Sequence, residues 1–124
     1  MWTWLAVAVG GAIGTLFRHA VNILSTRLLG SPGLYATAAV NVVGCAVIGF
    51  LAGRIASGDL RLTTTMRTFV FVGLLGGFTT FSSFGLDTFT LAHSGHRIAA
   101  AINVTVQVSA GLVAVFVGFW LAAR

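Results

Sequence analysis

Apolar residues fill this chain in four long stretches, broken by three short polar punctuations. The stretches cover about 2–29, 34–56, 67–93 and 97–123. Arg18 interrupts the first, and Ser31-Pro32-Gly33, holding the single proline, is a turn signal after it. The segment from Ser57 through Asp59 and Arg61 to Arg67 is the most polar of the chain. His93-Ser94-Gly95-His96-Arg97 closes the third stretch. A helix needs roughly 20 apolar residues to cross a bilayer. Each stretch meets that length, and the pattern predicts four helices.

Composition turns this pattern into a class. Of 124 residues, 57% are hydrophobic and 7% are charged: seven Arg, Asp59 and Asp87, with no Lys or Glu. A soluble domain carries about 25% charged residues. A water-facing surface cannot be built from so few charges, which excludes a soluble globular enzyme and a disordered chain alike. The expected protein is an all-α, multi-pass integral membrane protein with residues 1–124 forming one four-helix transmembrane domain. The formal charge of +5 is spread along the whole chain. No basic run forms a nucleic-acid patch, so nucleic acid is not an expected partner. Cys45 is the single cysteine and cannot form an intrachain disulfide. Met1-Trp2-Thr3-Trp4 lacks the basic start of a signal peptide, so the first stretch is expected to be retained.

An even number of spans puts both ends on one side, where Trp2, Trp4 and Trp120 would form one interfacial belt. That side also holds Arg54, Arg61, Arg67 and Arg124. The other holds Arg27 and Arg97, with Arg18 added if it snorkels that way. Four against two or three is a weak bias under the positive-inside rule. It leaves two readings open: ordinary insertion with cytoplasmic termini, or insertion both ways round with pairing as an antiparallel homodimer. Glycines four apart (Gly10 with Gly14, Gly49 with Gly53, Gly73 with Gly77) allow close backbone approach in lipid. Their abundance points to helix partners beyond the chain itself, with packing inside the chain the alternative for any one pair.

The third span is the most informative. Residues 73–85 hold four Gly and four hydroxyl residues in 13 positions at mid-membrane depth. Gly76-Gly77 followed by Thr79-Thr80 is a poor helix interior, and the pattern predicts a break. Such a break must be buried in protein or line a cavity, because unpaired backbone groups in lipid cost several kcal/mol each. Its loosened carbonyls can coordinate a cation, and the next half-helix points amides at an anion. Phe78, Phe81 and Phe84 recur among Thr79, Thr80, Ser82 and Ser83. Aromatic ring edges are positive, so edges plus hydroxyls can line a path for a small anion; the stripe is equally compatible with core or lipid-facing surface.

Asn41 lies mid-span, one turn after Thr37, and Asn103 and Gln107 share a face of the fourth span, continued by Gly111. Amides at this depth face the bundle interior or a wet cavity. One alone reads as interhelical glue; three beside a broken span read as a polar pathway. Arg18 either draws anions into a vestibule or snorkels. Asp87 follows the broken segment as a cap or ion-pair partner. His19, His93 and His96 have no partners at metal spacing. No nucleophile–base pair is visible, so no catalytic residue is assigned and the chain is not expected to be an enzyme.

Gly73-Leu-Leu-Gly-Gly-Phe-Thr-Thr-Phe-Ser-Ser-Phe84 closely resembles the third-helix signature of the small fluoride channels, the Fluc (CrcB) family. Gly10-Gly11-Ala-Ile-Gly14-Thr-Leu-Phe-Arg18 is similar to the family's first-helix motif, and Thr37-Ala-Ala-Val-Asn41-Val-Val-Gly44 to its second-helix motif. The resemblance covers essentially the whole chain. It implies an antiparallel, dual-topology homodimer in the inner (plasma) membrane, with two fluoride pores along the interface and a structural Na⁺ at the centre. The implied function is passive export of cytoplasmic fluoride, relieving its toxicity. Phe81 and Phe84 match the pore phenylalanines, Asn41 the pore asparagine, and Thr80, Ser82 and Ser83 the hydroxyl track beside them. Gly76 and Thr79 match positions whose carbonyls hold sodium, and Arg18 a first-helix arginine with a vestibule or structural role.

Three positions depart from that pattern. Asp87 stands where the family often has glutamate, and Ala36 replaces a glycine. The fourth helix shows Asn103, Gln107 and Gly111 where relatives often carry Tyr or His and Ser, so Asn103 and Gln107 join the candidate fluoride path. The rival readings are a small dual-topology multidrug-type transporter, which relies on a carboxylate in the first span that this chain lacks, and a non-transporting membrane assembly subunit.

Overall fold

The computed structural model describes residues 1–30 and 33–124; the turn expected at Ser31-Pro32 lies outside them. The regular structure of the described residues is all helical, with no strand. Helix α1 spans Trp2–Leu29 and α2 spans Leu34–Ala56. The third span, α3, covers Thr64–His93, and α4 covers Arg97–Ala122. All four are long and apolar enough to cross a membrane. The third begins three residues earlier than its hydropathy suggests, because Thr63 caps it by accepting the Met66 N–H at 3.2 Å.

The bundle pairs alternate helices: α2 packs most extensively on α4, and α1 on the first half of α3. Glycine makes both seams. A methyl at Gly14 would overlap the Leu74 carbonyl, and one at Gly10 would stand 2.7 Å from the Phe69 carbonyl. A methyl at Gly77 would stand 2.6 Å from the Gly11 carbonyl. On the other seam, Gly49 faces the Val115 backbone, Gly53 the Phe119 carbonyl, and Gly118 the Ala46 carbonyl. The three glycine pairs are therefore used within the chain, the alternative left open for each of them. Lipid offers no hydrophobic drive between helices, so backbone contact of this kind carries the packing.

The break in α3 is present, but two residues further on than the glycine pair. Gly76–Phe78 is helical. The extended residues are Thr79 (φ −84°, ψ 162°) and Thr80 (φ −155°, ψ 114°). The second half-helix, Phe81–His93, starts anew after them. Upstream, Thr68–Leu75 forms two turns of π-helix, which propensity did not signal. π-Helical turns of this kind are frequent at functional sites.

Candidate functional site

The break is held open by one side chain. The Thr80 N–H donates to Asn41 Oδ1 at 2.9 Å, and Asn41 Nδ2 donates to the Thr80 carbonyl at 3.1 Å. The Asn41 amide thus satisfies both backbone groups of the residue that leaves the helix, which in lipid would otherwise be orphaned. The Thr80 hydroxyl restarts the helix by accepting the Ser83 N–H at 3.2 Å. It also lies 3.1 Å from the Ser83 hydroxyl and 3.3 Å from that of Ser82.

These diversions release carbonyls. The Thr80 N–H is turned away from Gly76, its i−4 residue, and Ser83 is turned away from Thr79. The Gly76 and Thr79 carbonyls lose their helical partners at the break. Both residues line a cavity of about 360 Å³ with Asn41, Cys45, Thr80 and Phe81.

From Asn41 a polar relay runs down α4. Asn41 Nδ2 donates to Gln107 Oε1 at 3.0 Å. Gln107 Nε2 donates to Asn103 Oδ1 at 2.8 Å, and Asn103 Nδ2 to Thr88 Oγ1 at 2.9 Å. The Thr88 hydroxyl ends the chain on the Phe84 carbonyl at 2.8 Å. Asn103 and Gln107 are buried. Thr88 went unmarked in the sequence because a threonine one turn after Phe84 has an ordinary local role, bonding back along its helix. Only α4 reveals its second one.

On the far side of Asn41, Phe81 and Phe84 stand with ring centroids 5.5 Å apart and planes tilted by 51°. They line a cavity of about 250 Å³ with Asn41, Gln107, Cys45 and Gly111. The centroid spacing lies in the range that favours aromatic pairs, with the rings neither stacked nor perpendicular. The two rings differ: Phe84 is 9% exposed and Phe81 is 83% exposed. Ser82 is also on the surface, and Asn103 reaches this cavity only through Gln107. Cys45, given no role on sequence grounds, lines both this cavity and the one at the break.

A second polar hollow opens toward the Gly33 end. Arg18, His19 and Asn22 of α1, Thr37 of α2, and Thr80, Ser83 and Asp87 of α3 line a cavity of about 360 Å³. Arg18 therefore shares this cavity with the hydroxyl residues Thr80 and Ser83 of the break. Among the described residues Asp87 has no ion-pair partner, and its Oδ2 is buried with no hydrogen-bond partner. Among the described residues the one ion pair joins Arg54 and Asp59 at 3.1 Å, on the exposed central link. Thr80 lines both this hollow and the cavity at the break, and its backbone is held by Asn41.

Comparison with known proteins gives a consistent picture. The profile of a family described as "CrcB-like protein, Camphor Resistance (CrcB)" matches residues 5–119. A protein of Hyphomonas neptunium named "Fluoride-specific ion channel FluC" is 40% identical over 98% of this chain and 95% of its own. One of Rhodopseudomonas palustris, "Fluoride-specific ion channel FluC 1", is 45% identical over 95% of this chain and 84% of its own. One of Aeromonas salmonicida, named as the first, is 42% identical over 99% of this chain and 98% of its own.

Proposed function

The chain belongs to the CrcB-like family, and we propose that it is a fluoride-specific ion channel, not an enzyme, that lets fluoride leave the cytoplasm passively and so relieves its toxicity. The near full-length similarity to proteins named fluoride-specific ion channels carries this reading. The geometry supports it. Fluoride is small and strongly hydrated, so its path must replace water with hydrogen-bond donors. The Phe81–Phe84 cavity is lined by the Gln107 amide and the two rings, with no fixed cation that would trap the ion. The multidrug-type alternative is not favoured, since the first span holds Arg18 and no acid.

We further propose a homodimer as the working unit, with dual topology, in the inner membrane. Phe81 and Ser82 stand exposed on a single chain at mid-membrane depth, directly beside a backbone break. Lipid cannot satisfy that polar surface, and a second copy of the chain would cover it. The same copy would bring a second pair of Gly76 and Thr79 carbonyls. Two released carbonyls per chain form an oxygen donor set suited to a hard cation such as Na⁺. Bound there, Na⁺ would neutralise the carbonyl dipoles of both breaks and tie the two chains together.

Purified protein in liposomes, assayed in parallel for fluoride and chloride efflux, tests the reading. Fluoride efflux with retained chloride is the expected result. No efflux of either ion would favour a non-transporting subunit.

A further inference from the structure

The relay through α4 has a direction, and the direction identifies a donor. A side-chain amide has a fixed acceptor end and a fixed donor end, whereas a hydroxyl rotates to suit. At one end of the relay the Thr80 N–H requires the oxygen of Asn41. The Asn41 nitrogen then faces Gln107, which must answer with Oε1. Gln107 presents Nε2 to Asn103 Oδ1, and Asn103 presents Nδ2 to Thr88. At the other end the Thr88 hydroxyl gives its proton to the Phe84 carbonyl, so toward Asn103 it can only accept. Every amide orientation is thus fixed by two backbone groups of α3.

The donors can now be counted. Each primary amide has two N–H bonds. Asn41 commits one to the Thr80 carbonyl and one to Gln107. Gln107 commits one to Asn103, and its second N–H is uncommitted. Gln107 is 6% exposed and lines the cavity of Phe81 and Phe84. Asn103 also retains an N–H but does not line that cavity.

We propose that the free N–H of Gln107 is the ion-facing amide donor of this cavity, and that Thr88 and Asn103 are positioning residues that aim it. The proposal rests on the fluoride-channel reading. Asn41 in this arrangement orients the relay and holds the break, while Gln107 meets the ion. Without the Thr88 acceptor the relay is ordered from the Thr80 end alone, so Asn103 flips in part of the population and Gln107 then turns its oxygen toward the anion path.

Two measurements test this on the full-length protein. In liposomes at matched incorporation and matched thermal stability, Thr88→Val should lower fluoride efflux about fivefold, the worth of one hydrogen bond. Thr88→Ser, which keeps the hydroxyl, should restore efflux to within about twofold of wild type. In the wild-type protein, adding sodium fluoride should shift one ¹⁵N-attached side-chain proton of Gln107 and leave the Asn41 pair in place. Wild-type efflux from Thr88→Val, or fluoride shifts at Asn41 in place of Gln107, would overturn the proposal and leave a fluoride-conducting wild type standing as a channel. A wild type that conducts no fluoride would instead remove the channel reading, and the Gln107 shift would still decide whether the amide binds the ion. That shift requires no variant to fold.

Discussion

Asn41 makes three hydrogen bonds with one side chain, two to Thr80 and one to Gln107. Asn41→Asp keeps the acceptor for the Thr80 N–H but sets a negative charge against the Thr80 carbonyl and Gln107 Oε1. It also places that charge beside the anion path. At an effective dielectric near 20, like charges about 4 Å apart repel by roughly 4 kcal/mol, so fluoride efflux should fall by about three decades. The phenylalanines separate in a way their shared spacing did not announce. Phe81→Ile should lower flux and weaken the dimer while leaving the fold of the single chain unchanged, because that ring is exposed on one chain and would be covered only by the proposed second copy. Phe84→Ile should lower flux and also stability, by about 1 kcal/mol, because that ring is packed. Equal efflux from wild type and both variants would show that the ring edges are not part of the path. The residue types of this site were legible in the sequence; their division of labour was not. Whether an amide faces an ion or staples a backbone depends on partners as far away as Thr80 from Asn41 or Gln107 from Asn41, and spacing is blind to those.

The third span shows what local signals can and cannot carry. Adjacent glycines and threonines announced an interruption, yet Gly76 and Gly77 remain helical. Gly77 is small because α1 crosses there, with the Gly11 carbonyl where a side chain would be. Thr80 leaves the helix because Asn41 of another helix takes over both of its backbone bonds, while the Thr79 N–H still reaches the Leu75 carbonyl. Propensity recognised the weakness and tertiary bonding chose its place. Two expectations belong to this element. Gly14→Ala would drive a methyl into the Leu74 carbonyl on the α1–α3 seam. It should destabilise the protein by about 1–3 kcal/mol, as overpacking does, read as a lower melting temperature in detergent. Thr79→Ser should be nearly silent. Its hydroxyl bonds to the Leu75 carbonyl at 3.0 Å, which serine can repeat, and the proposed cation contact is made by the backbone. If Thr79→Ser abolished the sodium dependence of dimer stability, the site would not be a backbone site. If dimer stability and flux were the same with and without sodium, there would be no site at all.

At the scale of the whole molecule, the four-helix layout was legible because hydropathy over about 20 residues is set by the bilayer alone. Orientation is a different matter, since it is decided by very few charges. The end holding the termini and the central link carries Arg54, Arg61, Arg67 and Arg124, against Arg27 and Arg97 at the other. Arg18 lines a cavity with Asn22, Gly33 and Asp87, toward the Arg27 end, and so offsets part of the difference. The Arg54–Asp59 pair changes this little, because acidic residues contribute weakly to orientation. A margin of one arginine does not commit a chain to one orientation. Reporter fusions at the C-terminus should therefore read out on both sides of the membrane. Adding two or three Lys to the central link, among residues 57–63, should drive nearly all copies one way round. Such a variant should lose fluoride efflux when expressed alone, because no antiparallel partner is available to cover Phe81 and Ser82. Co-expression with a second variant, carrying the extra Lys in the link at residues 94–96, should restore efflux. A wild type found in one clean orientation, or a single biased variant that conducts as well as the mixture, would show that the pore does not need opposed copies.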